Sequence, residues 1–215
     1  MSAAPPEAPR DCPLCPRLVA YRQANARAEP SWFNGAAPSF GDADARLLIV
    51  GLAPGRMGAN RTGRPFTGDY AGELLYGTLL KFGFARGVYR ADPNDGFTLI
   101  DAMITNAVRC APPENKPTPA EIAHCRPFLA SRMAHLPKLK ALIALGSIAH
   151  ESVLRAHGLK PSFSKFAHAA ETHLPDGRIM ISSYHCSRYN TQTRRLTTEM
   201  FESIFARAAA LVKAN

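Results

Sequence analysis

The sequence has no apolar run close to the roughly 20 residues that span a bilayer. Residues 1–10 are rich in Pro and Ala and lack the apolar centre of a secretion signal. We therefore expect a cytosolic protein with no membrane partner. No internal repeat and no long linker is visible, and no lysine stands out as a catalytic nucleophile. A Walker phosphate loop would end in Gly-Lys-Ser/Thr; none follows the glycine-rich stretch at residues 51–69, which disfavours nucleotide hydrolysis. Acidic residues are scarce beside basic ones, 17 against 26, a formal net charge of +9. That excess favours polyanionic partners, because Lys and Arg displace counterions condensed on phosphates, though charge alone is a weak signal. Five cysteines in a reducing compartment are poor material for disulfides.

What is present has the pattern of an α/β protein. Residues 46–51, Arg-Leu-Leu-Ile-Val-Gly, form a continuous apolar run ending in Gly, the signature of a parallel strand buried on both faces. Similar runs at 103–108, 139–145 and 178–183 predict three more strands. Helices are predicted from Pro16, over 70–84, from Thr118 to about His135, from Ser147 to near Gly158, and at the C-terminus. Thr118-Pro-Ala-Glu121 reads as a capped helix start. Strands alternating with helices imply an α/β layer fold with a mostly parallel sheet. We expect residues 1–10 to be a disordered tail and 11–215 a single domain.

In such folds ligands bind at the carboxyl ends of the strands. Three unusual segments follow predicted strand ends, at 51–69, 106–113 and 184–193, and we expect them to converge. The first holds five glycines, which let backbone approach a ligand, together with Phe66, whose ring suits a planar base. The second starts at Asn106, whose carboxamide offers a donor and an acceptor, as the edge of a pyrimidine requires. The third places His185 directly after a strand, where it could donate to an oxygen that gains charge. Each also has a blander reading: a surface loop, a turn-forming Asn, a structural His. Cys12 and Cys15 form a Cys-x-x-Cys; Cys110 and Cys125 lie far downstream with fourteen residues between them. Four thiolates suffice for zinc or for an iron–sulfur cluster, and the split second pair fits a cluster better.

Together these segments resemble the uracil-DNA glycosylase superfamily, most closely its iron–sulfur-bearing family five, the UDGb type. The resemblance rests on Gly51-Leu-Ala-Pro-Gly55, on Gly58-Ala-Asn-Arg-Thr-Gly-Arg-Pro-Phe-Thr-Gly-Asp69, and on Asn106-Ala-Val-Arg-Cys-Ala-Pro-Pro-Glu-Asn-Lys-Pro117. The related family four has Glu after the first Gly, where this chain has Leu52. The resemblance implies a three-layer α/β/α sandwich with a central four-stranded, mostly parallel sheet, and a [4Fe-4S] cluster on Cys12, Cys15, Cys110 and Cys125. It implies a base pocket of Gly51, Ala53, Gly55, Phe66 and Asn106, and a chemical role for Asp69 and His185. DNA contacts are expected from Arg56, Asn60, Arg64, Ser187, Arg188 and Tyr189. The chain departs from the family at His185-Cys186-Ser187, where His-Pro-Ser is usual, so Cys186 reads as a substituted loop residue. The polar residue common in the superfamily's first motif is also absent, as Leu52 and Ala53 stand there.

The implied activity is monofunctional excision of uracil from DNA, leaving an abasic site in an intact strand. With few polar groups on the leaving base, the pocket is expected to admit deaminated purines such as hypoxanthine. A monomer is expected. The competing readings are a redox or regulatory iron–sulfur protein that binds DNA without cutting, and a zinc-stabilised nucleic-acid-binding module.

Overall fold

The structure, a computed structural model, describes residues 5–213. In chain order the helices and strands are α1 (Pro16–Ala28), β1 (Phe40–Gly41), β2 (Leu47–Gly51), α2 (Ala59–Thr62), α3 (Tyr70–Lys81), β3 (Ala85–Arg86), β4 (Thr98–Leu99), β5 (Ala102–Asn106), α4 (Pro119–Ala134), β6 (Ala141–Leu145), α5 (Ser147–Ala156), β7 (Glu171–His173), β8 (Ile179–Ser183), α6 (Arg188–Gln192) and α7 (Thr198–Lys213). The main sheet has the order β1-β5-β2-β6-β8-β7. Its four central strands run parallel, as their unbroken apolar sequences predict, and almost every residue in them is buried.

The expectation of four strands is extended at both edges. β1 and β7 add antiparallel partners of two and three residues, and β3 with β4 forms a separate two-stranded ribbon. Segments this short carry no periodicity; their strand character comes from the neighbour they pair with.

Alternate side chains of each central strand enter different cores. Leu47 and Ile49 pack with Leu75 and Leu79 of α3 and with Phe201 and Phe205 of α7. Leu48 and Val50 pack with Leu129 and Met133 of α4 and with Val153 of α5. The three layers therefore follow from the two-sided burial of β2. The helix start read at Thr118 is a complete capping box: Thr118 Oγ1 accepts the Glu121 N–H at 3.3 Å, and Glu121 Oε2 accepts the Thr118 N–H at 2.7 Å. Arg17 grips the same carboxylate with two bonds of 2.8 Å, fastening α1 to α4.

The tail expected over residues 1–10 divides. Residues 1–4 lie outside the described residues, whereas residues 5–10 are held in place. Glu7 pairs with the fully buried Arg109 at 2.9 Å and with Arg132, and Arg10 donates to the Phe33 carbonyl. A carboxylate that neutralises a buried guanidinium cannot be released without stranding that charge, so this part of the tail is ordered. Among the described residues no helix is long and apolar enough to cross a membrane.

After the short edge strand β1, the parallel part of the sheet starts at its middle with β2, steps to β5 on one side, then crosses to β6 and β8 on the other. Such a reversal leaves a crevice beyond the carboxyl ends of the strands.

Candidate active site

A cavity of about 340 Å³ opens there, and the three segments expected to converge all line it. Past the ends of β2 and β5 the first two segments stay zipped together: the Ala107 N–H bonds the Gly51 carbonyl and the Val108 N–H the Leu52 carbonyl, both at 2.9 Å. Gly51, Ala53, Gly55, Phe66, Asp69, Asn106, His185, Ser187 and Arg188 all stand at or next to this floor; of these only Gly51 is not itself a lining residue. Gly51 acts from beneath. A Cβ there would lie 2.4 Å from Asn106 Oδ1 and 2.7 Å from the Phe66 ring, so its bare backbone is what lets both groups settle over it.

Phe66 is buried and has φ of 54°, a left-handed conformation that costs an aromatic residue energy. Two contacts hold it. Tyr89 donates its hydroxyl to the Phe66 carbonyl at 3.1 Å. Gly72 lets α3 come in so close that a Cβ would stand 1.9 Å from that carbonyl oxygen. The Phe66 and His185 rings lie 6.0 Å apart between centroids at 26°. Sliding a flat ring between them needs two van der Waals layers, about 7 Å. The gap is therefore too narrow for a flat ring to enter between the two, and the Phe66 face is open to one only from the cavity side.

Asn106 closes the floor. It is 3% exposed, and among the described residues its Oδ1 has no hydrogen-bond partner. An unpaired buried acceptor is costly, and a ligand N–H would satisfy it. Burial pushes the His185 imidazole down to about 4, so at neutral pH it is an uncharged N–H donor. Asp69 is the N-cap of α3, its Oδ1 accepting the Gly72 N–H at 3.1 Å. Burial raises its pKa, opposed by hydrogen bonds from the backbone of Gly72 and Ala71. Its Oδ2 stands 3.8 Å from the point a Cβ on Gly55 would occupy, and Asn115 Oδ1 stands 3.9 Å from the same point. These two oxygens thus face one spot above the backbone of Gly55.

Asn115 was not among the sequence candidates. It and Glu114 both have positive φ, 57° and 55°, which turns the loop after Cys110 back over the cavity. The available signal was the long Asn106-to-Pro117 motif, in which Asn is a residue that tolerates this conformation. Tyr70 was also missed. It lies at the mouth, with the Arg188 guanidinium 5.1 Å from its ring centroid.

The expected DNA contacts separate into two groups. Ser187, the N-cap of α6, and the exposed Arg188 line the cavity, and Tyr189 is 72% exposed beside them. Asn60 and Arg64 are corrected. Asn60 is buried and donates to Asn34 Oδ1 at 3.1 Å. Arg64 is buried against Phe40, Tyr76 and Tyr89 and forms a two-point pair with Asp95 at 2.8 and 2.9 Å. Both side chains are turned into the fold, Asn60 1% and Arg64 5% exposed, and not toward the mouth of the cavity. Arg56 is half-committed: it bonds Asn25 Oδ1 at 2.8 Å and lies over the Trp32 ring.

Cys12, Cys15, Cys110 and Cys125 are buried in one cluster with Leu18, Val108 and Phe128. None forms a disulfide. Burial foremost pushes Cys15, Cys110 and Cys125 up to about 11. Donors point at the sulfurs: the Arg109 backbone N–H at 3.4 Å from Cys125 Sγ, and Arg22 Nη1 at 3.5 Å from Cys110 Sγ. Hydrogen bonds of this kind favour thiolate ligands and tune iron–sulfur centres. Among the described residues no group of three or more His, Cys, Asp or Glu is arranged to hold a metal ion. Cys186 is buried apart from these four, its thiol directed to the Ala71 carbonyl at 3.6 Å.

The cavity can thus hold a flat heterocycle by one face, pair its N–H and C=O edge, and place a carboxylate and a neutral imidazole around it. The sequence matches the uracil DNA glycosylase superfamily over residues 38–209. It is 46% identical over 206 residues to a type-5 uracil-DNA glycosylase of Thermus thermophilus, covering 93% of each chain. It is 39% identical over 211 residues to a type-5 uracil-DNA glycosylase of Mycobacterium tuberculosis, covering 93% of this chain and 78% of that one. To a type-4 uracil-DNA glycosylase of Pyrobaculum aerophilum it is 33% identical over 150 residues, 69% of this chain and 62% of the other.

Proposed function

The chain belongs to the uracil-DNA glycosylase superfamily, with the type-5 enzymes, and we propose that the cavity at its strand ends is the pocket in which uracil is cut from DNA. It is a DNA repair enzyme, a hydrolase of N-glycosyl bonds acting on DNA. The observation that carries the placement of the site is the unpaired oxygen of Asn106, buried beneath an aromatic face in a cavity that also holds Asp69 and His185. It also favours an enzyme over a DNA-binding protein that cuts nothing.

A base inside a duplex must first be rotated out, at a cost of a few kcal/mol that is least for a mispaired base such as uracil opposite guanine. In the pocket, Phe66 stacks on the extruded ring and Asn106 pairs its edge, Oδ1 accepting a ring N–H and the amide donating to a carbonyl. As the glycosidic bond breaks, negative charge moves onto the base and positive charge onto the sugar. His185 is neutral, so it stabilises the base anion by donating a hydrogen bond to a carbonyl oxygen. The partly desolvated Asp69 opposes the charge on the sugar, and with Asn115 it orients the attacking water above Gly55. Arg188, Tyr189 and Ser187 hold the strand at the mouth, with Arg56 at the far side of the loop.

The pocket is mostly apolar apart from these groups, so it also admits deaminated purines such as hypoxanthine. We further propose that Cys12, Cys15, Cys110 and Cys125 hold a [4Fe-4S] cluster, which would tie the N-terminal arm to the loop after β5. We also propose that the enzyme acts as a monomer with residues 11–215 as one domain, to which Glu7 ties the preceding segment through Arg109 and Arg132.

The test is a single-turnover assay on a duplex with one uracil, read as abasic sites revealed by alkali. Asp69→Asn keeps the helix cap and removes the charge, and should slow excision on the order of 100-fold or more; full activity in this variant would remove Asp69 from the chemistry. Strand cleavage without alkali would refute the monofunctional reading, and intact inosine-containing DNA would remove the purine activity.

A further inference from the structure

Among the described residues the His185 ring makes no hydrogen bond. Its aim therefore depends on packing and on the main chain that carries it. That main chain has just left the sheet, since β8 ends at Ser183. Buried backbone groups need partners, and past the strand they come from side chains. Ser183 Oγ donates to the Tyr184 carbonyl at 2.9 Å. The Tyr184 N–H donates to His168 Nδ1 at 3.2 Å. The His185 carbonyl accepts from Asn190 Nδ2 at 2.8 Å.

His168 belongs to the loop before β7, and its ring also stacks on Tyr184 at 5.1 Å and 24°. To accept at Nδ1 it must be neutral, and burial keeps its pKa low. Asn190 is itself fixed on both sides: its N–H bonds Ser187 Oγ, and its carbonyl accepts the Leu196 N–H at 3.0 Å. Neither His168 nor Asn190 lines the cavity.

We infer that His168 and Asn190 are positioning residues for the excision step, gripping the main chain on either side of His185 so that its ring meets the base edge. This rests on the role given above to His185. Aim matters because a displacement near 1 Å at a reacting group can cost about 100-fold in rate.

Three variants separate the grip from general packing. Asn190→Leu keeps shape and removes the donor. His168→Phe keeps a ring on Tyr184 and removes the acceptor. His168→Asn restores an acceptor without the ring. Single-turnover excision of uracil is measured against enzyme concentration, with thermal unfolding alongside. Asn190→Leu and His168→Phe should lower the saturating rate about 10- to 100-fold, with the half-saturating enzyme concentration unchanged, and His168→Asn should recover most of the loss. In a His185→Ala background the same substitutions should cost nothing further, because there is no ring left to aim.

Equal losses with and without His185 would overturn the inference, as would wild-type rates in both Asn190→Leu and His168→Phe. If Asn190→Leu does not fold, the two His168 variants decide alone. Should His185→Ala by itself excise at the wild-type rate, the role of His185 has failed rather than its positioning.

Discussion

Gly51→Ala isolates the pocket floor with a single methyl group. Gly51 has no left-handed φ, so its backbone accepts alanine without strain. The burden falls on two side chains: the new Cβ would stand 2.4 Å from Asn106 Oδ1 and 2.7 and 2.8 Å from two Phe66 ring carbons. Non-bonded carbons rest at about 3.5–4.0 Å, so each group must retreat by roughly 1 Å. The strand cannot move instead, since β2 lies between β5 and β6 and pairs with both. Overpacking of this kind costs about 1–3 kcal/mol of stability. The larger effect is on function, because the stacking face and the edge-reading amide are displaced together. A 1 Å shift predicts a fall in single-turnover excision on the order of 100-fold. Gly55→Ala is the control: its Cβ has no neighbour nearer than 3.8 Å, so stability should match the parent. The assay pairs urea unfolding with excision at saturating enzyme on a uracil·guanine duplex. A folded Gly51→Ala enzyme with parental rate and affinity would refute the placement of the base over Gly51.

Three further outcomes follow from the same geometry. His185 titrates near 4 in the fold and near 6.5 unfolded, so the native state binds fewer protons in that window; stability should rise with pH across it, and fall by up to about 3 kcal/mol as pH drops from 6.5 to 4. Urea melts of the parent against His185→Phe read this directly, and identical pH dependence would show that His185 is not buried uncharged. Arg64→Ala should cost about 3–5 kcal/mol by stranding Asp95 while leaving the salt dependence of DNA binding unchanged; Arg188→Ala should spare stability and reduce the log–log salt slope by about 1. Cys110→Ser should abolish visible iron–sulfur absorption, lower the unfolding temperature and weaken binding to abasic-site DNA, because the Cys110 loop carries Asn106 at one end and Asn115 at the other; a colourless parent with one zinc per chain would reject the cluster.

Local chemistry made much of this protein readable from its sequence. Unbroken apolar runs mark the four parallel strands at the centre of the sheet, and Thr118 and Glu121 cap a helix through contacts only three residues long. The strand-end motifs then marked where Phe66, Asp69, Asn106 and His185 would meet, since topology brings carboxyl ends of parallel strands together. Which neighbouring polar residues face the cavity was not local. Arg64 and Asn60 sit in the same motif as Phe66, yet Asp95, 31 positions away, and Asn34, 26 positions away, draw them inward. Glu7 is ordered because of Arg109, 102 positions along the chain. Asn115 enters the pocket because two left-handed residues turn its loop back. Sequence alone therefore determined the four central strands, the cap that starts α4 and the segments that carry chemistry, because neighbours along the chain set those. Tertiary structure decided which charged side chains are buried, because the free energy of a charge depends on partners that only folding brings near.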